Sequence, residues 1–243
     1  MDEFLYTGVM AVGVLVLAGV GLVLAYRRKQ AVQAFARSIG WTYVGTDPAL
    51  PNRWRSRPFG VGDSRRVGEL MTGMHNGRRA TAFRYSYSTG SGKNRSTAVF
   101  QVAVVALPAY LPNLELTPEG IGARLARAFG GEDIQFESED FNRAWRVRAG
   151  VVKFAHDVIH PRMMQRLLQD DARRLNLSIE GTDLLCWTTG SPRWEALAGR
   201  LRVMHALIDA VPRYVWLDHG YDPEASPGTP TGLSGPPGGT RPV

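Results

Sequence analysis

Two histidines four residues apart with a carboxylate between them are the first chemistry this chain offers. His156-Asp157-Val158-Ile159-His160 is H-D-x-x-H. It is one methylene short of H-E-x-x-H, in which two imidazoles on one helix face bind zinc and the glutamate acts as base. Pro161 follows directly, and a residue before proline avoids the helical region. The spacing therefore predicts that His160 caps the next helix and that the rings do not share a face. Gly90-Ser91-Gly92-Lys93-Asn94 hints at a phosphate-binding loop. That motif needs an earlier glycine where Tyr87 stands, a hydroxyl where Asn94 stands, and a helix where strand-like sequence follows. Cys186 lies in the apolar run Leu184-Leu185-Cys186-Trp187, whereas a nucleophilic thiolate needs a partly exposed, electropositive place. It reads as a buried structural residue. Glu132, Asp133, Glu137, Glu139 and Asp140 read as helix-start charge and ordinary surface, and Asp218-His219 pairs with no evident nucleophile. No catalytic, metal-ligating or cofactor-binding residue is assigned, and no cofactor is expected.

What remains is basic. Arg27, Arg28 and Lys29 form a triplet, and Arg53, Arg55 and Arg57 lie in the irregular stretch Gly45–Arg66 with Arg65, Arg66, Trp54, Phe59 and three prolines. Cations interleaved with aromatics suit anionic lipid headgroups or phosphate. The competing and preferred reading of the stretch is a surface loop pinned to the domain by its aromatic residues. The net charge of +7 comes from 26 Arg and 3 Lys against 22 acidic residues. That balance reads first as a solvated basic surface; beside a membrane it is attracted to anionic lipid headgroups, and nucleic acid is an unlikely partner. The single cysteine excludes an intrachain disulfide and a cysteine-based zinc site, in keeping with a reducing compartment.

The element that must position all of this is Phe4–Tyr26, 23 residues without a charge. About 20 apolar residues of helix cross a hydrocarbon core of about 30 Å, and backbone in lipid must be helical to satisfy its polar groups. Asp2 and Glu3 precede it, and Arg27, Arg28 and Lys29 follow. The positive-inside bias puts the short N-terminus outside and the following domain in the cytoplasm. A cleaved signal peptide would need a basic start and a shorter apolar core. The expected location is the cell membrane, single-pass. Val32, Phe35, Ala36 and Ile39 recur at helical spacing up to Gly40, which predicts that the helix continues into the cytoplasm as a stalk.

The expected fold class is α+β: antiparallel hairpins with packed helices behind the single transmembrane helix. Residues 1–29 are the anchor and its basic stop, 30–223 the cytoplasmic domain, and 224–243 a Pro/Gly-rich disordered tail. A subdivision into 30–116 and 117–223 is open. Trp41–Val44 reads as a strand. Val67–His75 and Arg78–Ser88 flank Asn76-Gly77, the preferred pair for a tight hairpin turn, and Ser96–Leu107 reads as a central strand. Pro108–Leu116 reads as a connection, and Thr117-Pro118 as the cap of a helix through Ile121, Leu125, Ala128 and Phe129. Ser138 caps a single turn, Trp145–Arg148 is a strand, and Lys153–Ile159 and Pro161–Gln169 are helical. Leu175–Glu180 and Leu184–Thr188 around Gly181-Thr182-Asp183 read as a second hairpin. Ser191-Pro192 starts a long helix that Pro212 ends.

Phe141, Trp145 and Val147, then Ala155–Pro161, then Met163-Met164-Gln165-Arg166-Leu167-Leu168 resemble an uncharacterised family of bacterial membrane-anchored proteins, a domain-of-unknown-function group. Leu116–Gly120 and Asp218–Pro223 are similar to its actinobacterial members. The resemblance implies architecture and location and transfers no activity. The functional expectation is a non-enzymatic interaction or regulatory domain at the membrane, with the lipid bilayer, anionic headgroups and an unknown protein as partners. An enzyme acting on a membrane-associated substrate is the alternative, and a nucleic-acid-binding module ranks below it.

Overall fold

The computed structural model describes residues 2–119 and 133–225, with side chains described from Leu15 onward. Helix α1 spans Asp2–Ser38 without a break. Val32 and Ala36 are buried on its domain-facing side, Phe35 packs beside them, and Ile39 stays partly exposed. Gly40 ends the helix at φ +72°, the left-handed stop that glycine adopts without steric cost. Trp41 then docks on Gly73 of the sheet, its indole N–H donating to the Met74 carbonyl at 3.2 Å. The expected N-terminal helix and the stretch that continues it past Lys29 are thus one element. Among the described residues no helix is long and apolar enough to cross a membrane, and the described side chains of the apolar run are those of Leu15–Tyr26.

Six strands among the described residues form one antiparallel sheet: β1 (Thr42–Gly45), β2 (Asp63–His75), β3 (Arg78–Thr89), β4 (Ser96–Pro118), β5 (Trp145–Ala149) and β6 (Asn176–Thr189). β4 is the spine. One of its edges pairs with β3 and, further along, β5, and the other edge pairs with β6. Asn76 (φ +46°) and Gly77 (φ +75°) make the β2–β3 turn with both central residues left-handed, as a type I′ turn requires.

Three local expectations are corrected. Pro108–Leu116 is not a connection; it lies inside the 23-residue β4. Pro108 and Pro112 are tolerated because the β4–β6 register shifts between Ala106 and Leu111 and again before Leu114, so neither missing N–H breaks a regular ladder. Thr117-Pro118 caps no helix but pairs with Arg146 and Trp145. The helix expected beyond it, the acidic residue Glu132 and the tail from residue 226 lie outside the described residues. The second hairpin is one strand, β6. Gly181 (φ +65°) sits at a register irregularity opposite Leu111 rather than at a turn. The bulge inverts side-chain parity: Leu177 and Ile179 face the helices before it, Leu184 and Cys186 after it.

Helices α2 (Glu139–Ala144), α3 (Val152–Val158), α4 (Pro161–Leu167), α5 (Leu197–Ala210) and α6 (Arg213–Asp218) complete the fold. Ser138 caps α2, its hydroxyl accepting from the Phe141 N–H at 3.3 Å, and a 3-10 turn at Trp194–Ala196 leads into α5. The sheet buries both faces. On one, α1 and the later helices cover Met71, Ala82, Ala103, Leu114, Leu177 and Cys186. On the other, an aromatic cluster of Phe83, Tyr85, Tyr87, Phe100 and Trp187 is covered by Trp54 and Phe59 of the long β1–β2 connection.

Candidate functional site

The H-D-x-x-H residues scatter. His156 lies in the last turn of α3 with its ring 4.9 Å from Phe136. Asp157 binds Lys153 at 2.6 Å. His160 stands at the N-cap of α4 in extended backbone, and its Nε2 lies 2.9 Å from the Ala210 carbonyl oxygen. The proline after His160 ends α3 before a second ligand could join the first, as its backbone restriction predicts. Gly90–Asn94 joins two strands, β3 and β4. Cys186 is fully buried on β6, and burial pushes its thiol up to about 12, the opposite of what a nucleophile requires.

The basic residues divide into two places. Arg53, Arg55 and Arg57 lie over the aromatic face, where the connection is held down by carboxylates of β6. Asp183, nearly buried, accepts from Arg53 Nη2 at 2.7 Å, Arg53 Nε at 3.0 Å and the Trp54 indole N–H at 2.9 Å. Glu180 accepts from the backbone N–H of Arg55 at 2.9 Å, that of Ser56 at 3.0 Å and the Ser56 hydroxyl at 2.6 Å. The Arg53 guanidinium also sits 5.2 Å from the Trp54 ring centroid, within cation–π range. The aromatic residues thus pin the loop, the reading preferred from sequence, and Arg53 is engaged within the domain while Arg55 remains exposed. Beneath the loop, burial raises the Glu115 carboxyl above the usual range, against the pull of Arg148 and Arg57 and with Glu180 adding to the rise.

Arg27, Arg28 and Lys29 lie on α1. Arg28 grips Glu69 of β2 with Nε at 2.6 Å and Nη2 at 3.3 Å, and the Trp194 indole N–H reaches the same carboxylate at 3.2 Å. Arg27 and Lys29 are exposed. Glu69 stands in left-handed backbone (φ +53°) at the irregularity between Gly68 and Met71. That bulge swings its side chain toward α1. This collar of Arg28, Glu69 and Trp194 fixes the first turn after the apolar run to the sheet and to the 3-10 turn that leads into α5.

Glu69, Glu180, Asp183 and Glu115 were not identified from sequence. The one available signal was indirect: a buried tryptophan needs an acceptor for its N–H, so Trp54 and Trp194 implied partners without saying which.

No family model matches the chain, and no curated protein matches it. Among solved structures, the crystal structure of the mycobacterial trehalose monomycolate transport factor A, TtfA, is similar at a TM-score of 0.54 and 14% identity, over 76% of this chain and 96% of that one. The likeness is one of fold, shared with an actinobacterial protein.

Proposed function

We propose that this chain is a single-pass membrane protein whose domain is a non-enzymatic interaction or regulatory module working at the cytoplasmic lipid surface, with Phe4–Tyr26 across the bilayer and the N-terminus outside. One observation carries the reading. Leu15, Val16, Leu17, Val20, Leu22, Val23 and Leu24 are all more than half exposed on a helix that runs unbroken into the docked collar. Successive residues point about 100° apart, so apolar side chains face outward all round. A helix apolar all round needs either a protein interior or a membrane. The dispersal of His156, Asp157 and His160 and the raised Cys186 thiol support a role without catalysis. The neighbour of like fold is named for the transport of a mycolate lipid, which supports work on or beside membrane lipid. On this reading Arg27 and Lys29 meet anionic headgroups, and a protein partner binds the domain. The test is in-membrane crosslinking and affinity capture of the full chain from native membranes, beside carbonate extraction. A reproducible protein partner and resistance to carbonate are expected. Release by carbonate would overturn the anchor, and recovery of no partner would overturn the interaction module.

A further inference from the structure

The contacts of α1 determine which end of the sheet faces the bilayer, if the anchor reading above holds. Arg28 meets Glu69, and Trp41 meets Met74 five residues further along β2. From Arg28 to Ser38 a helix rises about 15 Å, and five residues of strand span about 17 Å. So α1 follows β2 in the same direction, and toward its own N-terminus it heads for the start of β2. The strand register shows what gathers there. Asp63 pairs with Ser88, and Ser88 with Thr97. The Gly190 N–H donates to the Val99 carbonyl at 2.7 Å. The start of β2, the β3–β4 connection and the segment after β6 therefore share one end, opposite the Asn76-Gly77 turn. Arg95 ties that end together, bonding Asp63 at 2.6 Å and the Ser64 hydroxyl at 2.8 Å.

This end is basic and open. Arg65, Arg66, Lys93, Arg95 and Arg193 are exposed there, and Ser91–Thr97 is exposed throughout. Among the described residues only Arg95 of these five is tied to a carboxylate. Among the described residues, Asp63 and Glu195 are exposed acids close in sequence to these cations.

We infer that this end of the sheet, rather than the Arg53–Arg57 segment, is laid against anionic lipid headgroups. Arg53 and the backbone of Arg55 and Ser56 are engaged by Asp183 and Glu180, whereas Arg65, Arg66, Lys93 and Arg193 stand on the side from which α1 leaves. Basic residues within a Debye length of about 8–10 Å of an anionic surface are attracted to it. Each one is worth roughly fivefold in surface partitioning.

The test uses the full chain in vesicles of phosphatidylcholine, alone or with phosphatidylglycerol. A fluorophore is attached through Ser91→Cys or, separately, Asn76→Cys, both exposed positions, with headgroup-labelled rhodamine lipid as acceptor; the buried Cys186 does not compete. Energy transfer from position 91 is expected to exceed that from 76 several-fold and to rise with phosphatidylglycerol. The combined variant Arg65→Glu, Arg66→Glu, Lys93→Glu is expected to remove the phosphatidylglycerol-dependent part while tryptophan fluorescence and carbonate resistance stay unchanged. Stronger transfer from position 76, or no dependence on phosphatidylglycerol, in carbonate-resistant protein overturns this inference alone. Extraction by carbonate overturns the anchor and this inference together.

Discussion

Glu69 couples the stalk to the domain, and its removal tests that coupling against the backbone it occupies. Its carboxylate accepts from Arg28 and from the Trp194 indole, with the glutamate side chain 12% exposed and the arginine 47%. Arg28 can rehydrate, so its share is about 0–1 kcal/mol. The buried indole N–H loses its acceptor, at a cost of about 1–3 kcal/mol. Glu69→Ala should therefore cost about 2 kcal/mol. The residue also sits at φ +53°, where an L side chain is strained by roughly 1–2 kcal/mol relative to glycine. Alanine keeps that strain and glycine relieves it, less the roughly 0.5–1 kcal/mol by which glycine's freedom favours the unfolded chain. Glu69→Gly should then be the milder change by up to about 1 kcal/mol. With about 2–4 °C per kcal/mol for a domain of this size, the alanine variant should melt about 4–8 °C lower, and the glycine variant should fall between it and the parent. All six tryptophans lie in the domain and none in the apolar run, so tryptophan fluorescence of the full chain in detergent reads the domain alone. A glycine variant that melts below the alanine variant would refute the argument that this bulge holds a strained residue for the sake of its side chain.

Asp183→Ala should cost about 2–3 kcal/mol because it strands the Trp54 N–H beneath the loop, whereas Arg53→Ala should cost no more than about 1 kcal/mol because Arg53 is half exposed; equal losses in denaturant titration would contradict the indole-anchored loop. Gly73→Ala should lower stability by about 1–3 kcal/mol, since its added methyl would collide with the Trp41 ring, and an unchanged melting temperature would show that Trp41 is not wedged there. The rings of His75 and His205 lie 4.7 Å apart, and both are held below the ordinary 6.5 by burial first, then by Arg202 beside His75 and by His75 and Arg78 beside His205. Their folded values lie below their unfolded ones, so stability is fully present above about pH 6.5 and is lost as pH falls below it; the melting temperature of His205→Leu should be flatter over that window, and an equally steep curve would assign the acid loss elsewhere.

Local signals carried much of the fold. Asn76-Gly77 demands left-handed backbone at two residues and so announces its turn. Ser138 offers its hydroxyl to an orphan N–H one turn on, and the unbroken apolar spacing from Phe4 to Ile39 reads as one helix. Each of these depends on residues within a few positions of one another. The length of β4 was not legible, because Pro108 and Pro112 forbid a regular ladder, and only the opposing register of β6 shows where the irregularities absorb them. Nor was β6, whose Gly181 serves a turn and a bulge equally well until a partner strand lies beside it.

The chemistry divides the same way. The sequence shows no intact motif for metal, phosphate or thiol catalysis, because such motifs fail on a single wrong neighbour: Pro161 after His160, Asn94 after Lys93, an apolar strand around Cys186. It also determined the uncharged run and the basic triplet that closes it. Which cations are committed within the domain and which face outward depends on how distant segments pack together. Arg53 meets Asp183 across 130 residues and Arg28 meets Glu69 across 41. An ion pair is a matter of distance in space, and proximity in space is what folding adds.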